Sequence, residues 1–306
     1  MSTPELMTPA DELLPLPAAQ GKYRAEWIQT IIDAWRLNRT KVGVGIFIFI
    51  VLLAAFGPFV APYSPTQFVG PPFSAPAAKY WFGTDYIGRD VLTRVLWGGR
   101  TVLSLSIAAT MIGMVLGVAA GLFAGYGRRW VDETIMRLLD VLLAFPQIVL
   151  ALLFVSILGP KLWLIVLIVG ISHAPRIARV ARAATLEIVG RDFVKAAEAL
   201  GVPARKILMF DVLPNITSPL LVEFGLRLTY SIGLIASLSF LGFGMQPPSA
   251  DWGLMINENR AGIIVQPFAV LVPVILIGVL TIGTNLMADG FSRAMIGIDR
   301  DTAGSK

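Results

Sequence analysis

Long uncharged stretches alternate with short charged ones along this chain. Residues 42–61, 101–127, 141–160, 228–250 and 261–288 contain no Asp, Glu, Lys or Arg. A sixth apolar stretch, 162–175, is short and runs into a helix-friendly continuation with Arg176, Arg179 and Arg182. A spanning helix needs about 20 apolar residues at a rise of about 1.5 Å each. Gly242, Gly244, Pro247 and Pro248 break the 228–250 stretch, so its helix is expected to begin earlier, near Ile216. The pattern therefore predicts an all-α integral membrane protein with about six transmembrane helices. It divides into a tail over 1–41, a membrane domain over 42–290 and a tail over 291–306. Residues 1–20, rich in Pro and acidic residues, are expected to be disordered.

Composition strengthens that reading. Of 306 residues, 56% are hydrophobic and 15% charged, with a mean hydropathy of +0.73. A soluble domain carries nearer a quarter charged residues. The net charge of +5 lies between apolar blocks and forms no basic face, which excludes nucleic acid as a partner. There is no cysteine, and His173 is the single histidine, so disulfides, thiol catalysis and a histidine-built metal site are not expected. The first uncharged run is twenty residues long, which suits a spanning helix better than the apolar core of a secretion signal.

Basic residues set the expected orientation. With both termini in the cytoplasm, eighteen of the 25 Lys and Arg fall in or beside cytoplasmic segments, six fall outside, and Arg227 lies in the fifth span. This predicts outer segments at 62–100 and 242–260 and a main inner loop at 183–213. Before the first span, Trp27, Ile31 and Trp35 recur every four residues within 24–39. They fit an amphipathic helix that lies on lipid headgroups or on neighbouring protein.

The inner loop has the clearest local grammar. Asp192 can cap a short helix, Gly201 suits a left-handed stop, and Pro203 follows it. Phe193, Ala196, Ala197 and Leu200 recur at helical spacing and predict one buried stripe. A helix of nine residues is marginal alone, and its two alanines allow close approach to a groove on a partner protein. A second helical stretch, 204–212, is expected to end at Leu213-Pro214.

These residues carry a resemblance. Ala196-Ala197, Gly201 and Leu213-Pro214-Asn215 resemble the "EAA" loop of ABC importer permeases, with Lys195 at the name-giving Glu position and Asp211 at a position that is usually basic or His. Trp35 to Arg39, Ala61 to Pro65, Phe82-Gly83-Thr84-Asp85, Gly88-Arg89-Asp90, Leu238 to Gly242, Gln246-Pro247-Pro248, Asp251-Trp252-Gly253 and Asn285 to Gly290 resemble the second permease of dipeptide, oligopeptide and nickel importers. The resemblance implies a type I ABC importer permease fold in a bacterial plasma (inner) membrane. It implies a second homologous permease, two cytoplasmic ATPases that bind ATP and Mg, and an extracytoplasmic substrate-binding protein. It also implies that Asp192, Phe193, Ala196, Ala197, Leu200, Gly201 and Pro214 couple to an ATPase.

In the outer segment, Asp85, Arg89, Asp90 and Arg94 can pair locally in a solvated loop, with a helical turn over 90–97 ending at Gly98-Gly99. The functional alternative is that Asp85, Arg89 and Asp90, with Gln246, Asp251 and Trp252, contact the binding protein or gate the pore mouth. Within the bilayer, Gly113, Gly117, Gly121 and Gly125 form a ladder that lets another helix approach closely. Pro146 and Pro273 favour kinks. Glu223 and Arg227, at i and i+4, are expected to neutralise each other. Asp140 is expected one or two turns into the third span, paired with Arg137 or near the pore. His173, Arg176, Arg179 and Arg182 read as a series that snorkels toward headgroups.

The sequence holds no G-x-x-x-x-G-K-[ST] loop and no nucleophile-base-acid set, so neither nucleotide binding nor catalysis is expected in this chain. An ion-coupled secondary transporter is the alternative, but it calls for inverted repeats and mid-membrane charges. A membrane enzyme would need a polar catalytic cluster near the interface.

Overall fold

The computed structural model describes residues 31–296, and its regular elements are helical. The tails over 1–20 and 297–306, and the first part, 24–30, of the amphipathic stretch expected over 24–39, lie outside the described residues. Residues 31–36 of that stretch are helical, with Trp35 exposed and Ala34 buried.

The helices are α1 (Asn38–Val60), α2 (Val91–Tyr126), α3 (Arg129–Leu143), α4 (Gln147–Leu158), α5 (Leu162–Val189), α6 (Asp192–Ala199), α7 (Thr217–Phe240), α8 (Trp252–Asn259) and α9 (Phe268–Ile296). Five helical stretches are long and apolar enough to span a membrane, and α3 with α4 makes a sixth if counted together.

That sixth span departs from the uncharged run over 141–160. The chain bends by 78° between Leu143 and Gln147. Pro146, which has no N–H to donate, stands just before α4. The twelve residues of α4 reach only about 18 Å, well short of a bilayer core. The fifteen residues of α3 are strongly amphipathic and none is buried. Asp140 therefore ends an amphipathic helix instead of entering a span. Its partner is Arg179 of α5, at 2.5 Å, and not Arg137.

The spine of the bundle is the α2–α5 interface, the most extensive among the described residues. It follows from the glycine ladder. A Cβ at Gly117 would stand 2.6 Å from the Ile177 Cβ, and one at Gly121 would stand 2.5 Å from the Ala181 Cβ. Gly170 of α5 receives Ile112 of α2 in the same way. Bare backbone at these rungs lets the two helices touch along most of their length, where dispersion and close packing must do the work of the absent water.

α1 and α9 pack through Gly43 and Gly283, and Arg39 pairs with Asp289 at 3.0 Å. The start of α1 and the end of α9 thus share one end of the bundle. Arg128, Arg182, Arg191, Arg205 and Lys206 lie at that same end, called here the basic end. Segments 61–90 and 241–267 cover the opposite end.

Candidate functional site

At the basic end, the short helix α6 leaves the bundle and is followed by a continuous helical ramp: one turn over Ala204–Lys206, a wide turn over Ile207–Val212, a tight turn over Leu213–Ile216, and then α7. Leu213-Pro214 does not end this stretch. Pro214 sits in the first turn of the tight segment, where the missing N–H costs nothing.

Gly201 stops α6 as its sequence suggests. Its φ is +72°, and nothing lies within 4 Å of where a Cβ would be. Gly201 N–H donates to the Glu198 carbonyl at 2.9 Å and Val202 N–H to the Ala197 carbonyl at 3.0 Å. This pair of bonds satisfies two orphan carbonyls of the helix end. Asp192, however, is not the cap. Arg191 takes the cap position without a side-chain bond, and Asp192 lies one residue inside, where its charge suits the helix dipole.

The buried stripe also differs from the expected one. Val194 is the anchor, at 0% exposure, with Phe193 and Ala197 partly buried beside it. They dock on Leu122, Ile188, Ile207, Leu208 and Ile216 of the same chain. Leu200 is 83% exposed and Ala196 is also exposed. Two of the four stripe positions, Phe193 and Ala197, do turn to the bundle, but Val194 takes the central place and Leu200 is left in the open. The face left open carries Asp192, Lys195, Ala196, Ala199 and Leu200.

The opposite end holds the second group of residues, and its loop is not solvated. Asp85, Arg89 and Arg94 are almost fully buried. Arg89 Nε donates to Asp85 Oδ2 at 2.6 Å. Arg89 and Arg94 both donate to Glu258 Oε2, at 3.1 Å and 2.8 Å. Asn259 accepts from the Tyr86 backbone N–H at 2.9 Å. Burial, and next the Glu258 carboxylate, hold the Tyr86 phenol above its ordinary pKa. Two arginines facing two carboxylates close a buried, neutral ion cluster. Such a cluster contributes little net stability when complete, but breaking it is costly.

Asp90 caps α2, accepting from Thr93 N–H at 2.7 Å. The helix then runs on through Gly98-Gly99 without stopping. Those glycines exist for Trp252, whose indole covers them; a Cβ at either would stand 2.7 Å from it. Trp252 Nε1–H donates to the Val95 carbonyl at 2.9 Å. Asp251 caps α8 through Leu254 N–H at 3.0 Å. Burial raises its carboxyl pKa against the pull of these bonds. Gln246 stands apart, exposed, and its side-chain amide donates to the carbonyls of Gly242 and Gly244. The structure thus brings together Asp85, Arg89, Asp90, Asp251 and Trp252 as one brace and leaves Gln246 outside it.

Sequence reasoning missed Glu258, Asn259 and Gln266, whose amide donates to the Phe82 carbonyl at 2.5 Å. Each lies more than 160 residues from its partner, so no local spacing signals it.

Between the two ends runs a polar seam. Glu223 and Arg227 pair at 2.8 Å, as their spacing implies. His173 does not snorkel; it is fully buried, 3.0 Å from Ser231 Oγ and 3.4 Å from the Gln147 amide nitrogen. Arg179 and Arg182 meet Asp140 and Asp132 of α3, each at 2.5 Å, instead of reaching freely outward.

Residues 117–297 match the binding-protein-dependent transport system inner membrane component, and residues 39–76 match the N-terminal TM domain of oligopeptide transport permease C. Similar proteins include the glutathione transport system permease protein GsiD of Pectobacterium atrosepticum, 35% identical over 92% of this chain and 95% of that one. The dipeptide transport system permease protein DppC of Alkalihalophilus pseudofirmus is 34% identical over 95% of each. Among solved structures, an inward-facing MetNI methionine ABC transporter shares the fold, with a TM-score of 0.50 and 18% identity over 65% of this chain and 96% of that one. The bundle, its polar ends and these matches agree: the chain is a multi-pass inner-membrane protein that belongs to the dipeptide and oligopeptide family of ABC importer permeases.

Proposed function

We propose that this subunit forms half of the translocation pathway of an ATP-driven importer for dipeptides, oligopeptides or glutathione-like solutes. The basic end faces the cytoplasm, and the brace faces outward, toward a substrate-binding protein. A second permease completes the pathway, and two separate ATPases supply the motion.

The observation that carries this reading is α6. It is a rigid, well-stopped helix held to its own bundle by Val194 and offering an open, alanine-centred face beyond it. A helix fixed on one side and free on the other can pass the displacement of a partner into α5 and α7. Only a contact that differs between two states can drive such a switch. The outer brace suits the same cycle in a different way. Its buried ion cluster makes segments 61–90 and 241–267 one body with the top of α2, so this end moves as a unit.

The test is the pair Ala196→Asp with Leu200→Asp. Both positions are exposed, so the subunit inserts and folds. Co-purification of the ATPases and peptide uptake are both lost. Normal uptake by the doubly substituted complex would overturn the assignment of α6 as the coupling element.

A further inference from the structure

Three polar side chains of α5, His173, Arg179 and Arg182, find a partner on the bent α3–α4 pair. His173 meets Gln147, the first residue of α4. Arg179 meets Asp140 near the end of α3, and Arg182 meets Asp132 near its start. Arg176 stands between His173 and Arg179, opposite the bend over 144–146. Among the described residues it has no hydrogen bond or ion pair, and it is exposed.

The depth of Arg176 makes this unusual. α2 carries no charge between Arg100 and Arg128, and Thr110 and Gly113 lie near the middle of that stretch. Thr110 meets Ser231 at 2.9 Å, Ser231 meets His173, and Gly113 abuts His173. His173 therefore marks the middle of the bundle, and Arg176 lies only about 4.5 Å further toward the basic end. An unpaired guanidinium at that depth cannot face lipid tails; it faces protein or a water-filled cavity.

Its surroundings are built for an anion. His173 of α5 meets Ser231 of α7, and one turn from that contact toward the basic end these two helices carry Arg176 and Arg227. Arg227 is buried, paired with Glu223 and stacked on the Tyr230 ring at 5.0 Å. Tyr230 is 55% exposed, so it carries this arginine pair's polar surface out of the buried interior. Two arginines against one carboxylate leave one positive charge uncompensated.

We propose that Arg176, backed by Arg227 and Tyr230, is a station on the translocation path that takes the carboxylate of the cargo. This rests on the permease reading and sharpens it: peptides and glutathione all carry free carboxylates, and an arginine fork matches that group. A single mobile cation favours passage over capture, because one half-solvated pair is weak enough to release.

The chain has no cysteine, so Tyr230→Cys in the assembled importer gives this subunit a single thiol, read on its own band after electrophoresis. Its reaction is compared with sulfonate-bearing and trimethylammonium-bearing methanethiosulfonates, each scaled to its rate with free cysteine. The sulfonate reagent should react about tenfold faster when Arg176 is present, and Arg176→Gln should erase that preference. Millimolar dialanine should slow the reaction, dialanine amide should not, and Arg176→Gln should abolish the protection. An unreactive thiol, a preference indifferent to Arg176, or equal protection by the amide would overturn the station. So would failure of the Arg176→Gln importer to assemble, which would make Arg176 a partner of the second permease. Uptake of dialanine or glutathione by the unsubstituted complex tests the permease reading separately. Its absence would sink that reading, whereas intact uptake with any of the adverse labelling results sinks the station alone.

Discussion

The two ends of this bundle handle charge in opposite ways. At the brace, Asp85, Arg89 and Arg94 are buried, the Glu258 side chain is largely covered, and the four satisfy one another. At the basic end, α6 displays Asp192 and Lys195 to solvent and depends on Val194 for its hold. The first arrangement resists deformation because every member has a partner that leaves a penalty behind if removed. The second leaves a surface incomplete. On the proposed coupling both have a use: a closed cap for one end, and an open contact for a driver at the other.

The comparison breaks most visibly at Arg94. Arg94→Ala leaves Asp85 and Glu258 short of their counter-charge and should cost about 3–5 kcal/mol, read as a drop in Tm of the detergent-solubilised subunit. A change within experimental scatter would show that water enters the brace. Val194→Ala comes next, at about 2 kcal/mol for two lost methyl groups and the space they leave. It should also lower uptake, because the face opposite Val194 loses its fixed position.

Asp251→Asn tests the brace more gently. The Asp251 pKa is raised by burial, so the folded state holds its proton longer than the unfolded state does. Stability from this group is complete below the unfolded carboxyl pKa of about 3.9 and declines as pH rises from there toward the raised folded value. Asn keeps the cap to Leu254 N–H and does not titrate. The variant should therefore show a flatter Tm against pH above that point than the parent; identical slopes would mean that Asp251 ionises freely.

Leu200→Ala should be the quietest on stability, within about 0.5 kcal/mol, because the side chain is exposed. Yet it should still lower ATPase association and uptake. A stability loss as large as that of Val194→Ala would mean that Leu200, too, anchors α6 to its own bundle.

Several features are legible in the order of residues alone. Five of the spans follow from the apolar runs, because a bilayer demands a fixed length of apolar chain. The glycine ladder on α2 announces a close helix contact, since rungs four residues apart share a face. Gly201 announces its left-handed stop, and Glu223 with Arg227 their pair. All of these are written within single unbroken stretches of chain.

What the sequence by itself determined, then, is the membrane class, five of the spans, and the local stops and pairs. Only the tertiary structure decided that the third span breaks at Pro146, that Val194 and not Leu200 holds α6, and that Glu258 completes the cluster of Asp85, Arg89 and Arg94. It also decided that His173 is buried while Arg176 stays open. The reason is physical. Periodicity reports which side chains share a face, but the partner on that face comes from a distant part of the chain, and burial and charge balance are properties of the two together.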